Sequence, residues 1–309
     1  MHDSSETAWM VRAMPVVFVA IWSTGFIVAR FAMPHAPPFS FLEARYALSA
    51  VCLLAWALAA RAVWPRTRAQ WGHLAVTGVL MQACYLGGVW AAVKNGMGAG
   101  LAALVVGLQP VLTGLWLSAL GGQVTRRQWA GLALGLCGLV LVVSHKLELG
   151  EVSALNLSLA VVALGGITAG TLYQKRFVQA CDVRVAGLIQ MLAAFVVTMP
   201  LAMRETEAMR WFTPAGTWNV ELVGALAWSV LGLTLAASSL FYLMIQRGAA
   251  TRVTSLMYLV PPATALMAWQ LFGEPITALT LFGVVLTAVG VSVVVRSPAP
   301  SVPPARHPS

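Results

Sequence analysis

Uninterrupted apolar runs of about 20 residues recur along the chain, each long enough to cross a hydrocarbon layer of roughly 30 Å. They fall at Met14–Met33, Phe39–Ala60, Trp71–Val93, Gly98–Leu120 and Gln128–His145, then at Leu155–Phe177, Val185–Met203, Val220–Ile245, Val253–Phe272 and Ala278–Val295. Lipid offers no partner for backbone N–H and C=O groups, so a chain with such runs must close its hydrogen bonds within helices or within a barrel. Barrel strands alternate apolar and polar residues over about ten positions. These runs are continuously apolar for twice that length, which leaves helices. The expected fold class is an all-α membrane protein of ten transmembrane helices.

The helices are written twice. Asn95–Val143 and Gln246–Arg296 follow one plan: a proline deep in an apolar run, a tight turn, then a second run. Pro110 aligns with Pro261, and Gly122-Gln123 with Gly273-Glu274. After a slip of one residue, Thr125, Gly131 and Gly138 align with Thr277, Gly283 and Gly290. The resulting division is a tail over 1–11, a first five-helix repeat over 12–145, an external connection over 146–154, a second repeat over 155–296 and a disordered tail over 297–309. That last segment, SPAPSVPPARHPS, is too polar and proline-rich to bury a core. Five is odd, so the second repeat enters the membrane from the opposite side and the halves are inverted repeats. Such pairs allow two states of similar energy, one open to each side.

Charge gives the orientation. Only 9% of the residues are charged, against about 25% in soluble domains, and the formal net charge is +9. The basic residues are dispersed among the apolar runs, with no basic stripe or aromatic-basic motif, so nucleic acid is not the expected partner. With the N-terminus in the cytoplasm, 13 of the 19 Lys and Arg residues fall on inner segments, among them Arg61, Arg66, Arg68, Arg126 and Arg127. Only Lys94, Lys146, Arg204 and Arg210 fall outside, while Arg30 and Arg45 lie near the outer ends of the first two helices. Excess cytoplasmic Lys and Arg is the usual rule, and it places both termini inside a bacterial-type inner membrane. Cys52, Cys84, Cys137 and Cys181 form no CxxC or Cys/His cluster, so neither a disulfide framework nor a metal site is expected. No phosphate-binding GxxxxGK[ST] sequence is present, and no cofactor is expected.

A transporter needs a polar pocket at mid-depth. Pro110 removes a backbone donor and frees carbonyls, so the helix breaks at Pro110, Pro261 and Pro262 are expected to line a cavity. Gln109 and Thr113 share a face beside the first break, and Tyr258 lies beside the second. Trp22, Gln82, Tyr85, Tyr173 and Ser238 add neutral, hydrogen-bonding or aromatic groups on other helices. This lining suits a small, partly apolar solute with a polar handle; interhelical hydrogen bonding is the alternative role for each residue. Arg30, Glu43 and Arg45 form an expected charge cluster at the outer mouth, either a gate that attracts anions or a structural group. Gly131, Gly135, Gly138, Gly283 and Gly290 have the spacing of helix-packing surfaces.

Two stretches carry a resemblance to a known family. The first is IWSTGFIVARFAMPHAPPFSFLEARYALSA, with Trp22-Ser23-Thr24-Gly25, Pro37-Pro38 and Ala44-Arg45-Tyr46. The second is RGAATRVTSLMYLVPPATALMAWQLFGEPIT, with Leu259-Val260-Pro261 and Gly273-Glu274-Pro275. Over about 12–296 the chain resembles the EamA-like family of the drug/metabolite transporter superfamily. It departs from the pattern at Gly122-Gln123-Val124, where a Gly-Glu-Pro turn is expected. The resemblance implies ten helices, inner termini and export of small metabolites, and favours Arg45 within the charge cluster. The reading that follows is a secondary transporter exporting an amino-acid-like or amphipathic solute, with the bilayer and that solute as partners and protons as a candidate coupling ion. It is not expected to be an enzyme. The alternatives are a non-transporting membrane subunit or assembly factor and, more remotely, an intramembrane lipid-modifying enzyme, which would need clustered Asp, His or Lys.

Overall fold

A computed structural model describes residues 3–119, 125–148, 150–237, 239–240 and 259–295. Helical segments fall in all ten apolar windows. We number them α1 (Asp3–Ala32), α2 (Pro38–Ala59), α3 (Arg68–Lys94), α4 (Ala99–Val106), α5 (Gln109–Ala119), α6 (Arg126–Glu148), α7 (Ala154–Phe177), α8 (Val183–Ala202), α9 (Val220–Ala236), α10 (Val260–Phe272) and α11 (Ala278–Val295). Six spans are long and apolar enough to cross a membrane: α2, α3, the α4–α5 stretch Ala99–Trp116, α6, α7 and α8. Val16–Ala32, Val220–Ala236 and Ala278–Val293 are shorter apolar helices. Among the described residues no strand forms beyond an isolated bridge between Phe212 and Trp218. The N-terminal segment expected as a polar tail is helical from Asp3 onward. Gly122-Gln123, Ser238, Tyr258 and the tail 297–309 lie outside the described residues.

Local chemistry sets the helix ends. Pro37 and Pro38 open α2, where a missing N–H costs nothing. Ser153 and Asn156 form a reciprocal capping box at the start of α7. Asp182 caps α8, and hydrogen bonds from Arg184 hold its carboxyl below the usual carboxylate range. Gly273 ends α10 at φ 66°, a left-handed conformation that favours glycine. This is the first residue of the Gly-Glu-Pro turn.

The outer faces are apolar in rows. Val51, Leu54 and Leu58 are exposed along one face of α2, as are Leu192, Val196, Met199 and Met203 along α8 and its end. Rows of this kind on successive helices exceed the apolar patches water tolerates on a monomer, and with the spans above they make the chain an integral membrane protein.

Inside, α2 packs on α8, α6 on α11, α4 on α10 and α3 on α7. The glycines singled out by spacing sit at one of these crossings, where the backbones of α6 and α11 touch at Gly135, Gly138, Gly283 and Gly290. A second close crossing brings Gly88 of α3 against Leu159 and Ala163 of α7, with Gly166 of α7 against Leu80 and Tyr85. Phe41 in the first turn of α2 stacks on Trp90 at 4.5 Å, both fully buried.

Candidate functional site

Two helices, α3 and α9, carry a widened segment. Val79–Cys84 in α3 and Ser229–Ala236 in α9 are π-helical, a widening that strains the backbone ladder and recurs at functional sites. The hydroxyls of α2 meet both. Tyr46 donates to the Gln82 carbonyl at 2.9 Å, and Ser49, one turn on, donates to the Thr234 hydroxyl at 3.2 Å. Thr234 in turn donates to the Ser229 carbonyl at 3.0 Å, within its own widened segment.

Between the two widened segments lies a cavity of about 130 Å³. Trp22, Gly25 and Phe26 of α1 line it, with Arg45 of α2 and Met81, Gln82, Tyr85, Leu86, Val89 and Trp90 of α3. Met191 of α8 and Leu233 and Thr234 of α9 complete the wall. Trp22, Met81 and Gln82 are half-buried, whereas Phe26, Val89 and Trp90 are almost fully enclosed. The cavity is therefore enclosed toward the end where α1 and α3 finish.

The closed end is tied by polar contacts from the connecting segments. The Glu205 carboxylate accepts the Phe39 N–H at 2.9 Å, the Ser40 N–H at 2.7 Å and the Ser40 hydroxyl at 2.8 Å. It thus caps α2 from beyond the end of α8. Glu274 of the Gly-Glu-Pro turn accepts the Ala99 N–H at 2.9 Å and caps α4 in the same way. An anion at a helix N-terminus satisfies bare donors and complements the dipole. His35 pairs with Glu221 and Lys94 with Glu207, each at 2.7 Å, and Lys146 pairs with Glu151. Lys94 holds the Glu207 carboxyl below its usual range.

Of the expected pocket residues, Trp22, Gln82 and Tyr85 meet at this cavity. Gln109, Thr113 and Tyr173 lie apart from it. Gln109 donates to Thr171 at 2.9 Å, and the Tyr173 hydroxyl lies 2.8 Å from Nδ1 of His73. The helix breaks behave differently from expectation. Gly107, at the break before Pro110, sits against the Pro261 ring, so the two breaks pack on one another rather than on the cavity. Pro262 lies beside Pro261 at the start of α10. The expected charge cluster at the mouth does not assemble. Glu43 and Arg45 are two residues apart on α2 and so point in different directions. Glu43 accepts the Thr198 hydroxyl at 2.5 Å, Arg30 lies 5.9 Å from the Phe272 ring centroid, and Arg45 enters the cavity. The widened turns had no signal in the sequence, where Val79–Cys84 reads as ordinary apolar helix.

The described helices thus form an apolar-faced bundle around a part-polar cavity. The sequence profile of the EamA-like transporter family matches residues 11–144 and again 154–296, and the chain belongs to that family. It is 29% identical to the uncharacterized inner membrane transporter YedA of Escherichia coli (strain K12) over 282 residues, covering 87% of this chain and 88% of that protein. It is 24% identical to a probable amino-acid metabolite efflux pump of Salmonella typhimurium over 281 residues, covering 90% and 92%. A solved crystal structure of 17% identity superposes with a TM-score of 0.62, covering 92% of this chain and 97% of the other, a likeness of fold.

Proposed function

We propose that the protein exports a small amino-acid-like or amphipathic solute across the inner membrane, by alternating access between two inverted five-helix repeats with both termini cytoplasmic. The observation that carries this reading is the cavity itself, enclosed toward the end where α1 and α3 finish and walled by both halves of the chain. Three features support the repeat. The family profile matches twice. The widened turns recur about 150 residues apart, each in the third helix of its half. The packing is also reciprocal: α3 on α7 is answered by α9 on α1, and α1 on α10 by α7 on α4 and α5. The positive-inside orientation would make the tied end external, and a cavity closed on that side fits the loading state of an exporter. The family relatives' inner-membrane and efflux descriptions agree with that direction.

The test is uptake into inside-out proteoliposomes from a panel of labelled amino acids, organic acids and amphipathic amines, with and without an imposed proton gradient. Saturable uptake of one class is expected. Gln82→Ala should lower it about tenfold, the loss of one hydrogen bond to bound solute. Gln109→Ala, whose partner is Thr171, should change it less than about twofold. Equal losses in both variants would remove this cavity from the pathway, and uptake equal to that of empty vesicles for the whole panel would sink the exporter. For proton coupling the candidate carrier is Glu43, whose Oε2 is enclosed without a partner. Glu43→Gln should then abolish the gradient dependence while leaving exchange at equal pH.

A further inference from the structure

Arg45 stands in the cavity without a counter-ion. It is 6% exposed, sits two turns into α2, and its Nε is enclosed with no acceptor. None of the ion pairs among the described residues includes it. Glu43 faces Thr198 on α8, and the carboxylates of Glu205 and Glu274 are spent on helix ends. A buried cation in a membrane protein is costly and persists where a partner arrives or a function needs it. The remaining polar groups of the lining, Gln82, Tyr85 and Thr234, are neutral, and the aromatic lining also includes Trp22, Phe26 and Trp90.

We propose that this cavity binds an organic monocarboxylate with a flat or branched apolar body, its carboxylate on the Arg45 guanidinium and its body between the aromatic walls. The inference rests on the exporter reading and narrows its substrate class. A guanidinium presents parallel donors that match both oxygens of a carboxylate. An α-ammonium finds only neutral acceptors here, so a simple acid binds better than the corresponding amino acid. A cation lacking the carboxylate meets the Arg45 charge in a low-dielectric site and is rejected.

Three probes with one body separate these cases: 3-phenylpropanoate, phenylalanine and phenethylamine. Binding is read as the ligand-induced rise in unfolding temperature of purified full-length protein, and transport as uptake into proteoliposomes. The acid should bind most tightly, the amino acid more weakly, and the amine should give no shift. In Arg45→Met the acid's affinity should fall about 100-fold or more, while the ligand-free protein unfolds at the same temperature or higher, because an uncompensated buried charge has been removed. Arg45→Lys keeps the charge but not the fork and should lose about tenfold. Arg45→Met that binds the acid as wild type does would overturn the proposal. So would a ligand-free Arg45→Met with a lowered unfolding temperature and Arg45→Lys with unchanged affinity, which would mark a structural arginine. If the amine alone binds and is taken up, the carboxylate site falls and the transporter stands. If nothing binds and nothing crosses, both fall.

Discussion

Gly290→Val is expected to strip the protein of much of its stability. A Cβ at position 290 would sit 2.6 Å from the Gly131 carbonyl oxygen and 2.9 Å from the Gly135 Cα. Both are backbone atoms of α6, so neither can turn away as a side chain could. The same crossing repeats one step along, where a Cβ on Gly283 would lie 2.8 Å from the Gly138 carbonyl oxygen. Thr287 lies between them and donates to the Gly283 carbonyl at 2.9 Å and the Gly135 carbonyl at 3.3 Å. Within lipid there is little hydrophobic drive to hold two helices together, and close backbone approach is what keeps them paired. Overpacking such a contact costs about 3 kcal/mol or more, which should lower the unfolding temperature in detergent by about 5–10 °C. Gly224→Val is the control, since nothing lies within 4 Å of a Cβ there. Equal unfolding temperatures for the two variants would show that the α6–α11 crossing is looser than described.

That crossing was legible in the sequence because its signal is local. Glycines at regular spacing on two aligned apolar runs announce a face that must meet another helix. The six long spans were legible for a similar reason: lipid forces helices, and length and apolarity then locate them to within a few residues. Which faces meet was not legible. Pro110 frees backbone groups that need a partner, but the rule does not say whether that partner is a cavity or the matching break on another helix. Here Gly107 lets the Pro261 ring approach, and the two breaks satisfy the space between them. Glu43 and Arg45 are adjacent in a list of charges yet serve different surfaces, since two residues on a helix turn a side chain through about 200°. The Gly-Glu-Pro turn was visible as a motif, but its capping of α4 joins residues 175 apart in sequence. The widened turns of α3 and α9 meet Tyr46 and Ser49 of α2, contacts that no window of local sequence contains.

Glu205→Ala is expected to open the tied end of the cavity. The carboxylate takes three donors at the start of α2 from a segment that belongs to the other half of the chain. In the proposed alternating-access motion, opening this end would part the halves there, and the contact would favour the closed arrangement. Hydrogen bonds to a charged group contribute about 1.5–3 kcal/mol each in net terms. Losing the group should therefore shift the balance between states by about tenfold or more. The readout is a cysteine at Val89, enclosed at the closed end of the cavity, in a chain whose Cys52, Cys84, Cys137 and Cys181 have been replaced. Its labelling by a membrane-impermeant maleimide added outside whole cells should speed up by about tenfold in Glu205→Ala and by less in Glu205→Gln, which keeps an acceptor. Glu207→Gln should change it less than about twofold, because an exposed pair with Lys94 is screened by water. The Glu207 carboxyl is held below its usual range, so that pair's small contribution is present above the usual carboxylate range and is lost only as pH falls through the lowered value. Labelling should accordingly be flat between pH 7 and pH 5 as far as Glu207 is concerned. Unchanged labelling in Glu205→Ala would mean that apolar packing around Phe41 and Trp90, rather than the carboxylate, holds this end shut.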